Sequence, residues 1–326
     1  MILGAVCAIA ITFMVGCRAV VGPRARATTA SKFESTPARL ARGKYLAENV
    51  CACMECHTQH DSAARESPLT PRKVGSGEVM PITSLPGRIV APNLTPDPET
   101  GAGNWTDDQL ARAIREGIGH DGRALFPAMP YRSFRALSDE DVASIVVYLR
   151  ALPPVRNPLP KRKLSVGARI VIAGMPAPLR ISVPRPDLST PEARGRYLVE
   201  VAGCADCHTP SDKFGRSLPR LELGGGFVLT GPFGSVASAN ITPDPSGISY
   251  YDAAMFTKAM RTGFVGARPL NPVMPWTTYA GMTDEGLADI FAYLRTLPPV
   301  HHTVDNTEPP TFCRICKKVH GGGSMN

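Results

Sequence analysis

Cys53-Met54-Glu55-Cys56-His57 and Cys204-Ala205-Asp206-Cys207-His208 are two copies of one pattern, C-x-x-C-H, in a chain of 326 residues. Each copy places two thiols and an imidazole at the spacing of covalent haem attachment. The thiols bond the vinyl groups, the imidazole ligates the iron, and a cofactor held this way cannot dissociate. That suits a redox relay better than a site that exchanges its ligand. An isolated C-x-x-C-H can also be half of a zinc site or a dithiol. A zinc site needs a second Cys/His pair within each half. His60 follows His57 by three positions, but nothing matches it after His208. A thioredoxin-like motif needs a βαβ pattern, and none is visible. The motifs therefore predict two covalently attached haems c, on Cys53, Cys56 and His57 and on Cys204, Cys207 and His208.

Outward from the motifs, the two halves align as an internal repeat. Thr36-Pro37 leads through Gly43-Lys44-Tyr45-Leu46 into the first motif, and Thr190-Pro191 leads through Gly195-Arg196-Tyr197-Leu198 into the second. Threonine followed by proline is an N-cap with Pro at the first helical position, so a helix is predicted before each motif. Downstream, the segment ending Asn93-Leu94-Thr95-Pro96-Asp97 matches the one ending Asn240-Ile241-Thr242-Pro243-Asp244, and Trp105 falls opposite Tyr251. Phe126-Pro127-Ala128-Met129-Pro130 matches Asn271-Pro272-Val273-Met274-Pro275. Each half closes with a predicted helix, Ser138 to Leu152 and Thr283 to Leu297, and both end in Leu-Pro-Pro-Val. Ser138 and Asp141 read as a capping box, with Val142, Ile145, Val146 and Leu149 on one face. Asp284 and Glu285 favour the dipole of the last helix.

An electron-transfer haem wants both axial positions filled, so that little moves between Fe(II) and Fe(III). A thioether favours Fe(II) and raises the potential. Met129 and Met274 are the candidate second ligands. Each sits at the same place in its repeat, between prolines that keep the segment out of helix and stiffen it. Met80 has no counterpart, and Met282 stands where the first half has Leu137, so both read as packing residues. Asn93 and Asn240 read as turn residues near the haem. Trp105 and Tyr251 could hydrogen-bond a haem propionate. Core packing with Asx-turn chemistry is the competing reading for these four. Each haem histidine should donate its Nδ1–H to a backbone carbonyl, with Pro68, Pro71 and Pro219 as possible sources.

The net charge of +8 is basic. Nothing resembles a nucleic-acid module, so no nucleic-acid partner is expected, and an acidic redox partner fits better. Arg156 to Asp187 is proline-rich and contains Lys161-Arg162-Lys163. It reads as a solvated linker or, alternatively, a docking patch. Ile2 to Gly16 is apolar and is followed by Arg18, Arg24 and Arg26, which reads as the core of an export signal, with the usual positive n-region missing. Met14-Val15-Gly16-Cys17 resembles a lipoprotein cleavage site; ordinary cleavage and an uncleaved anchor are the alternatives. A periplasmic, membrane-associated protein is expected. Outside the motifs, the nine cysteines leave Cys7, Cys17, Cys51, Cys313 and Cys316. Cys51 reads as an ordinary thiol or a disulfide partner.

These residues resemble the di- and tri-haem cytochrome c subunits of membrane-bound bacterial dehydrogenases for alcohols, gluconate and related substrates. The stretches that carry the resemblance are Asn93 to Gly101, Asn104-Trp105-Thr106, Pro127-Ala128-Met129-Pro130 and Tyr148 to Pro154, with Ala239 to Asp244, Met260 to Gly263, Val273-Met274-Pro275 and Tyr293 to Pro298. The resemblance implies an all-α fold of two tandem class I cytochrome c domains, 36–155 and 189–300. A signal or anchor (1–30) precedes them, a Pro-rich basic linker (156–188) joins them, and a disordered tail (301–326) follows. It also implies His/Met haems, a dehydrogenase subunit as electron donor and a downstream acceptor such as quinone, a cytochrome or an oxidase. The expected role is electron transfer, not catalysis. A di-haem enzyme, such as a peroxidase or a thiosulfate-oxidising cytochrome, is the alternative. The tail departs from the tri-haem pattern, because Cys313-Arg314-Ile315-Cys316 is followed by Lys317. A disulfide or a metal-binding pair with His320 is an alternative to disorder there.

Overall fold

The computed structural model describes residues 22–60, 70, 73–81, 86–212, 216–231 and 234–322. The expected signal segment Ile2 to Gly16 and Cys17 lie outside the described residues, as do Pro68 and Pro71. Along the chain, helix α1 (Pro37–Tyr45) continues as a π-turn (Leu46–Val50) into α2 (Cys53–His57). Strands β1 (Glu78–Val79), β2 (Gly87–Arg88) and β3 (Val90–Ala91) follow. Next come α3 (Asp107–Glu116), α4 (Tyr131–Phe134), α5 (Asp139–Ala151), β4 (Lys163–Leu164) and α6 (Val166–Ala173). The second half runs α7 (Pro191–Val201), α8 (Cys204–His208), β5 (Val228–Gly231), β6 (Gly234–Ala237) and α9 (Ala253–Thr262). It ends with β7 (Phe264–Val265), β8 (Arg268–Pro269), α10 (Trp276–Tyr279), α11 (Asp284–Thr296), β9 (Thr311–Phe312) and β10 (Val319–His320). Helices make the framework. The strands form short antiparallel pairs, β1 with β3, β2 with β4, β5 with β6, β7 with β8 and β9 with β10.

The chain divides into two compact units. Unit 1 holds the described residues up to Gly43, those of 75–80 and those of 86–184; unit 2 holds the rest. The segment 44–60, with the first C-x-x-C-H, thus groups with unit 2, whereas the sequence reading places it in the first domain. Its side chains explain this: Asn49 packs against Gly281, and Glu55 Oε2 accepts a 2.8 Å hydrogen bond from Thr278 Oγ1.

Both units use the same helix crossing. In unit 2 a Cβ placed on Gly195 of α7 would lie 1.9 Å from the Asp289 carbonyl oxygen and 2.9 Å from the Tyr293 Cβ of α11. In unit 1 a Cβ on Gly43 would lie 1.9 Å from the Ser144 carbonyl oxygen and 2.9 Å from the Tyr148 Cβ. Only a residue without a side chain lets the backbones come this close. A bidentate ion pair flanks each crossing: Arg194 with Asp289 at 2.7 and 2.9 Å, and Arg42 with Asp141 at 2.8 and 3.0 Å. The predicted helix starts carry side-chain caps, although for Ser138 the Asp141 carboxylate of the expected capping box pairs with Arg42. Thr190 Oγ1 accepts from Ala193 N, Ser138 Oγ from Asp141 N, and Thr283 Oγ1 from Gly286 N. Each such cap contributes about 1 kcal/mol. Val142, Ile145, Val146 and Leu149 of α5 are all at most 2% exposed and form the centre of unit 1.

The expected linker is not bare. β4 pairs with β2, Arg162 donates to the Ala124 carbonyl at 2.8 Å, and Val166–Ala173 is helical with Ile172 buried. Disorder is the expectation for the tail. The described residues 301–322 carry the β9–β10 hairpin, with Cys313 N–H donating to the Lys318 carbonyl at 2.8 Å.

Candidate haem-attachment sites

Unit 2 contains the whole second set. Gly203, in left-handed backbone at φ 68°, turns the chain from α7 into α8. Cys204 and Cys207, three positions apart, lie one above the other on a helix turn, and neither is in a disulfide. Burial pushes the Cys204 thiol up to about 12, the opposite of the lowered value that an active dithiol needs. His208 Nδ1 lies 2.8 Å from the Ala239 carbonyl oxygen. A carbonyl only accepts, so the proton sits on Nδ1 and Nε2 keeps its lone pair. Burial pushes the pKa of His208 below its ordinary value, and the Ala239 bond opposes this only in part, so the ring stays neutral. Behind the ring, Gly225 N–H donates to the His208 carbonyl at 2.7 Å. A Cβ on Gly225 would meet the Ala239 carbonyl carbon at 2.5 Å, so glycine is needed there too. The orienting carbonyl is therefore Ala239 and not Pro219, whose carbonyl accepts from Glu222 N–H in a 3-10 turn.

Asn240, next to Ala239, is committed to the loop. Its Oδ1 accepts from Thr242 N and Oγ1 at 2.9 and 2.8 Å, and its Nδ2 donates to the Val300 carbonyl at 2.7 Å and to Ser246 Oγ at 3.1 Å. Thr242 Oγ1 in turn accepts from Val300 N at 3.1 Å. Asn93 repeats this in unit 1 with Thr95, Thr100 and Val155, including the 2.7 Å bond to the Val155 carbonyl. The two asparagines thus staple the turn to the Leu-Pro-Pro-Val segment. Asn240→Ala leaves the Val300 carbonyl and the Thr242 amide without partners. It is expected to destabilise unit 2 by about 2–3 kcal/mol. Urea unfolding of the holo-protein measures this, and a change within about 0.5 kcal/mol would remove the staple from the account.

The methionine loops are the same in both units. Met129 N–H donates to the Phe126 carbonyl at 3.0 Å and Tyr131 N–H to the Met129 carbonyl at 2.8 Å. Met274 N–H donates to the Asn271 carbonyl at 3.0 Å and Trp276 N–H to the Met274 carbonyl at 2.7 Å. Both side chains are half-buried, whereas Met282 is 3% exposed in the core and Met80 N–H is bonded to Ile89 beside β1. The Met274 loop runs directly into α10. There Tyr279, itself buried, donates its hydroxyl to the Ala202 carbonyl, two residues ahead of Cys204, at 3.2 Å.

Of the first set, Cys53, Cys56 and His57 lie in unit 2 and Met129 and Trp105 in unit 1. In unit 2, Ala52 takes the left-handed turn (φ 48°) that Gly203 takes in the repeat, and His57 is buried. Burial pushes the Cys53 thiol up to about 12. His60 lies 3.3 Å from Glu55, and Cys51 is a buried thiol outside any disulfide. In unit 1 the Trp105 ring stacks on His120 at a centroid distance of 4.2 Å. In unit 2 Tyr251 meets Tyr250 edge-on at 4.8 Å. Both aromatic rings are thus engaged by protein neighbours. The donor set of the second site fits covalent haem: two thiols on one helical turn, then a neutral imidazole oriented through Nδ1.

A cytochrome c family model matches residues 40–153. The chain is 34% identical over 250 residues to a nicotinate dehydrogenase subunit of Pseudomonas putida, covering 73% of this chain and 20% of that protein. It is 32% identical over 282 residues to the fructose dehydrogenase cytochrome subunit of Gluconobacter japonicus, covering 81% and 55%. It is 31% identical over 263 residues to a protein of Cereibacter sphaeroides named "Diheme cytochrome c-type", covering 76% and 82%. The chain therefore spans only a fifth of the first of these relatives and about half of the second. With paired thiols, an oriented imidazole and this set of relatives, the chain belongs to the cytochrome c family.

Proposed function

We propose that the chain carries two covalent haems c and relays electrons from a dehydrogenase partner to a downstream acceptor. His57 and His208 are the imidazole ligands, and Met129 and Met274 the thioether ligands. When bound, each haem supplies a one-electron iron couple. The chain's part is to hold each ligand so that nothing large moves when the charge changes. His208 is fixed by Ala239, and Met274 is fixed in a turn bounded by prolines.

One observation carries the reading. Within unit 2 the four-residue helix α10 touches both attachment segments: Thr278 donates to Glu55 between Cys53 and Cys56, and Tyr279 donates to Ala202 just before Cys204. Electron transfer decays steeply with distance, so two attachment points against one short helix suit a relay. The matched methionine loops favour a relay over an enzyme, which needs one open iron position and would break that match. We also place the protein outside the cytoplasm and at a membrane, as the apolar Ile2 to Gly16 segment suggests. No described helix is long and apolar enough to cross a membrane.

Potentiometric titration of the exported holo-protein, with covalent haem counted by mass, tests the proposal. Two haems and two one-electron waves are expected. A single haem, or a high-spin haem that turns over peroxide or thiosulfate steadily, rejects the relay.

A further inference from the structure

We infer that the C-terminal segment is a closed metal site, a structural Zn²⁺ centre of His302, Cys313, Cys316 and His320. The ligand atoms of these four residues all lie within 4.8 Å of one another. Cys313 Sγ is 3.3 Å from His302 Nε2, and Cys316 Sγ is 3.2 Å from His320 Nε2. A tetrahedral ion with bonds of about 2.0–2.3 Å sets donor separations of about 3.4–3.8 Å, so small movements close the shell.

Burial supplies the second argument. In residues 301–322 the buried side chains are His302, Asn306, Cys316 and His320. Asn306 is accounted for by bonds of 2.7 and 2.9 Å to the Ala237 backbone. The other three are donors of the cluster. The hydrophobic residues of the hairpin point the other way: Phe312 is 58% and Val319 53% exposed. A segment this short that buries ligands and exposes its apolar side chains has no core of its own, and a metal is the usual substitute.

The surroundings orient the ligands. His302 Nδ1 is 2.8 Å from the Gly224 carbonyl, which leaves Nε2 turned to Cys313. The two imidazoles meet edge-on, with centroids 5.3 Å apart. At Gly226 (φ +89°) a Cβ would lie 2.6 Å from His302 Cε1 and 3.1 Å from His320 Nε2, so only glycine lets the loop pass the cluster. The Cys313-to-Cys316 turn closes through Lys317 N–H to the Cys313 carbonyl at 3.0 Å, with Lys317 itself at φ 62°. Two thiolates and two imidazoles form a closed, soft donor set that selects Zn²⁺ and leaves no open position for catalysis. Binding releases the two thiol protons, and the resulting centre is neutral.

The test uses the full-length holo-protein. Elemental analysis by mass spectrometry is expected to give one zinc per chain in addition to the haem iron. Cys316→Ser and His302→Gln are expected to lower the zinc at least tenfold with the haem iron unchanged. Because a variant could simply fail to fold, the unaltered protein is also stripped with a chelator and titrated with Co²⁺, which should give the intense visible bands of tetrahedral thiolate coordination. Protein that lacks zinc and shows no such bands overturns the inference. So does a disulfide between Cys313 and Cys316 in the intact mass, or a porphyrin bound to either thiol.

Discussion

Gly195→Val is expected to destabilise unit 2 by about 4 kcal/mol or more, among the largest effects a single substitution produces. Even the first carbon of the new side chain would lie 1.9 Å from the Asp289 carbonyl oxygen, well inside van der Waals contact. The obstacle is backbone within α11, so no rotamer relieves it. α7 and α11 must separate, which strains the Arg194–Asp289 pair and opens the layer formed by Leu198, Leu287, Ile290 and Leu294. Gly167→Ala is the control. Nothing lies within 4 Å of a Cβ at Gly167 on α6, so that change should be neutral or slightly stabilising. Thermal unfolding of both variants measures the difference. A Gly195→Val protein as stable as the parent would mean that the helices do not cross at this residue.

Met274→Ala is expected to lower the potential of one haem by roughly 0.1–0.3 V, a fraction of the span that axial ligands command, and to leave the other unchanged. The prediction rests on the proposed thioether ligand. Loss of the sulfur removes the preference for Fe(II), and substitutes are remote in kind. Met282 is packed in the core, and the Asn271-to-Pro275 turn is held by its own hydrogen bonds. Spectra and potentials that match those of the parent would strike Met274 from the ligand set.

What could be read in the sequence was whatever leaves a local trace. Two C-x-x-C-H motifs, threonine and serine caps, and methionines between prolines each declare themselves within a few residues. Ala239 does not, because a backbone carbonyl has no residue signature and it reaches His208 from 31 positions away. Tyr279 and Thr278 are silent because their partners, Ala202 and Glu55, lie 77 and 223 positions away. Gly43 and Gly195 were visible as landmarks of the repeat, but their role depends on which helix packs over them. Asn93 and Asn240 are open between turn and cofactor in the sequence, and their bonds to Val155 and Val300 tie the turn to the Leu-Pro-Pro-Val segment. In the tail, the glycine-rich end reads as disorder, and the lysine after Cys316 reads as a departure from the tri-haem pattern. The residue that completes the cluster, His302, lies outside any short motif and is positioned by the distant Gly224 carbonyl and Ser246 hydroxyl.

Ala239 and Asn240 are neighbours in the chain: one steadies the imidazole, and the other ties down the strand of chain leaving α11. No peptide slack separates the two tasks. Colour at the proposed second haem would therefore gauge whether α11 is seated, with loosening there read as a change of hue.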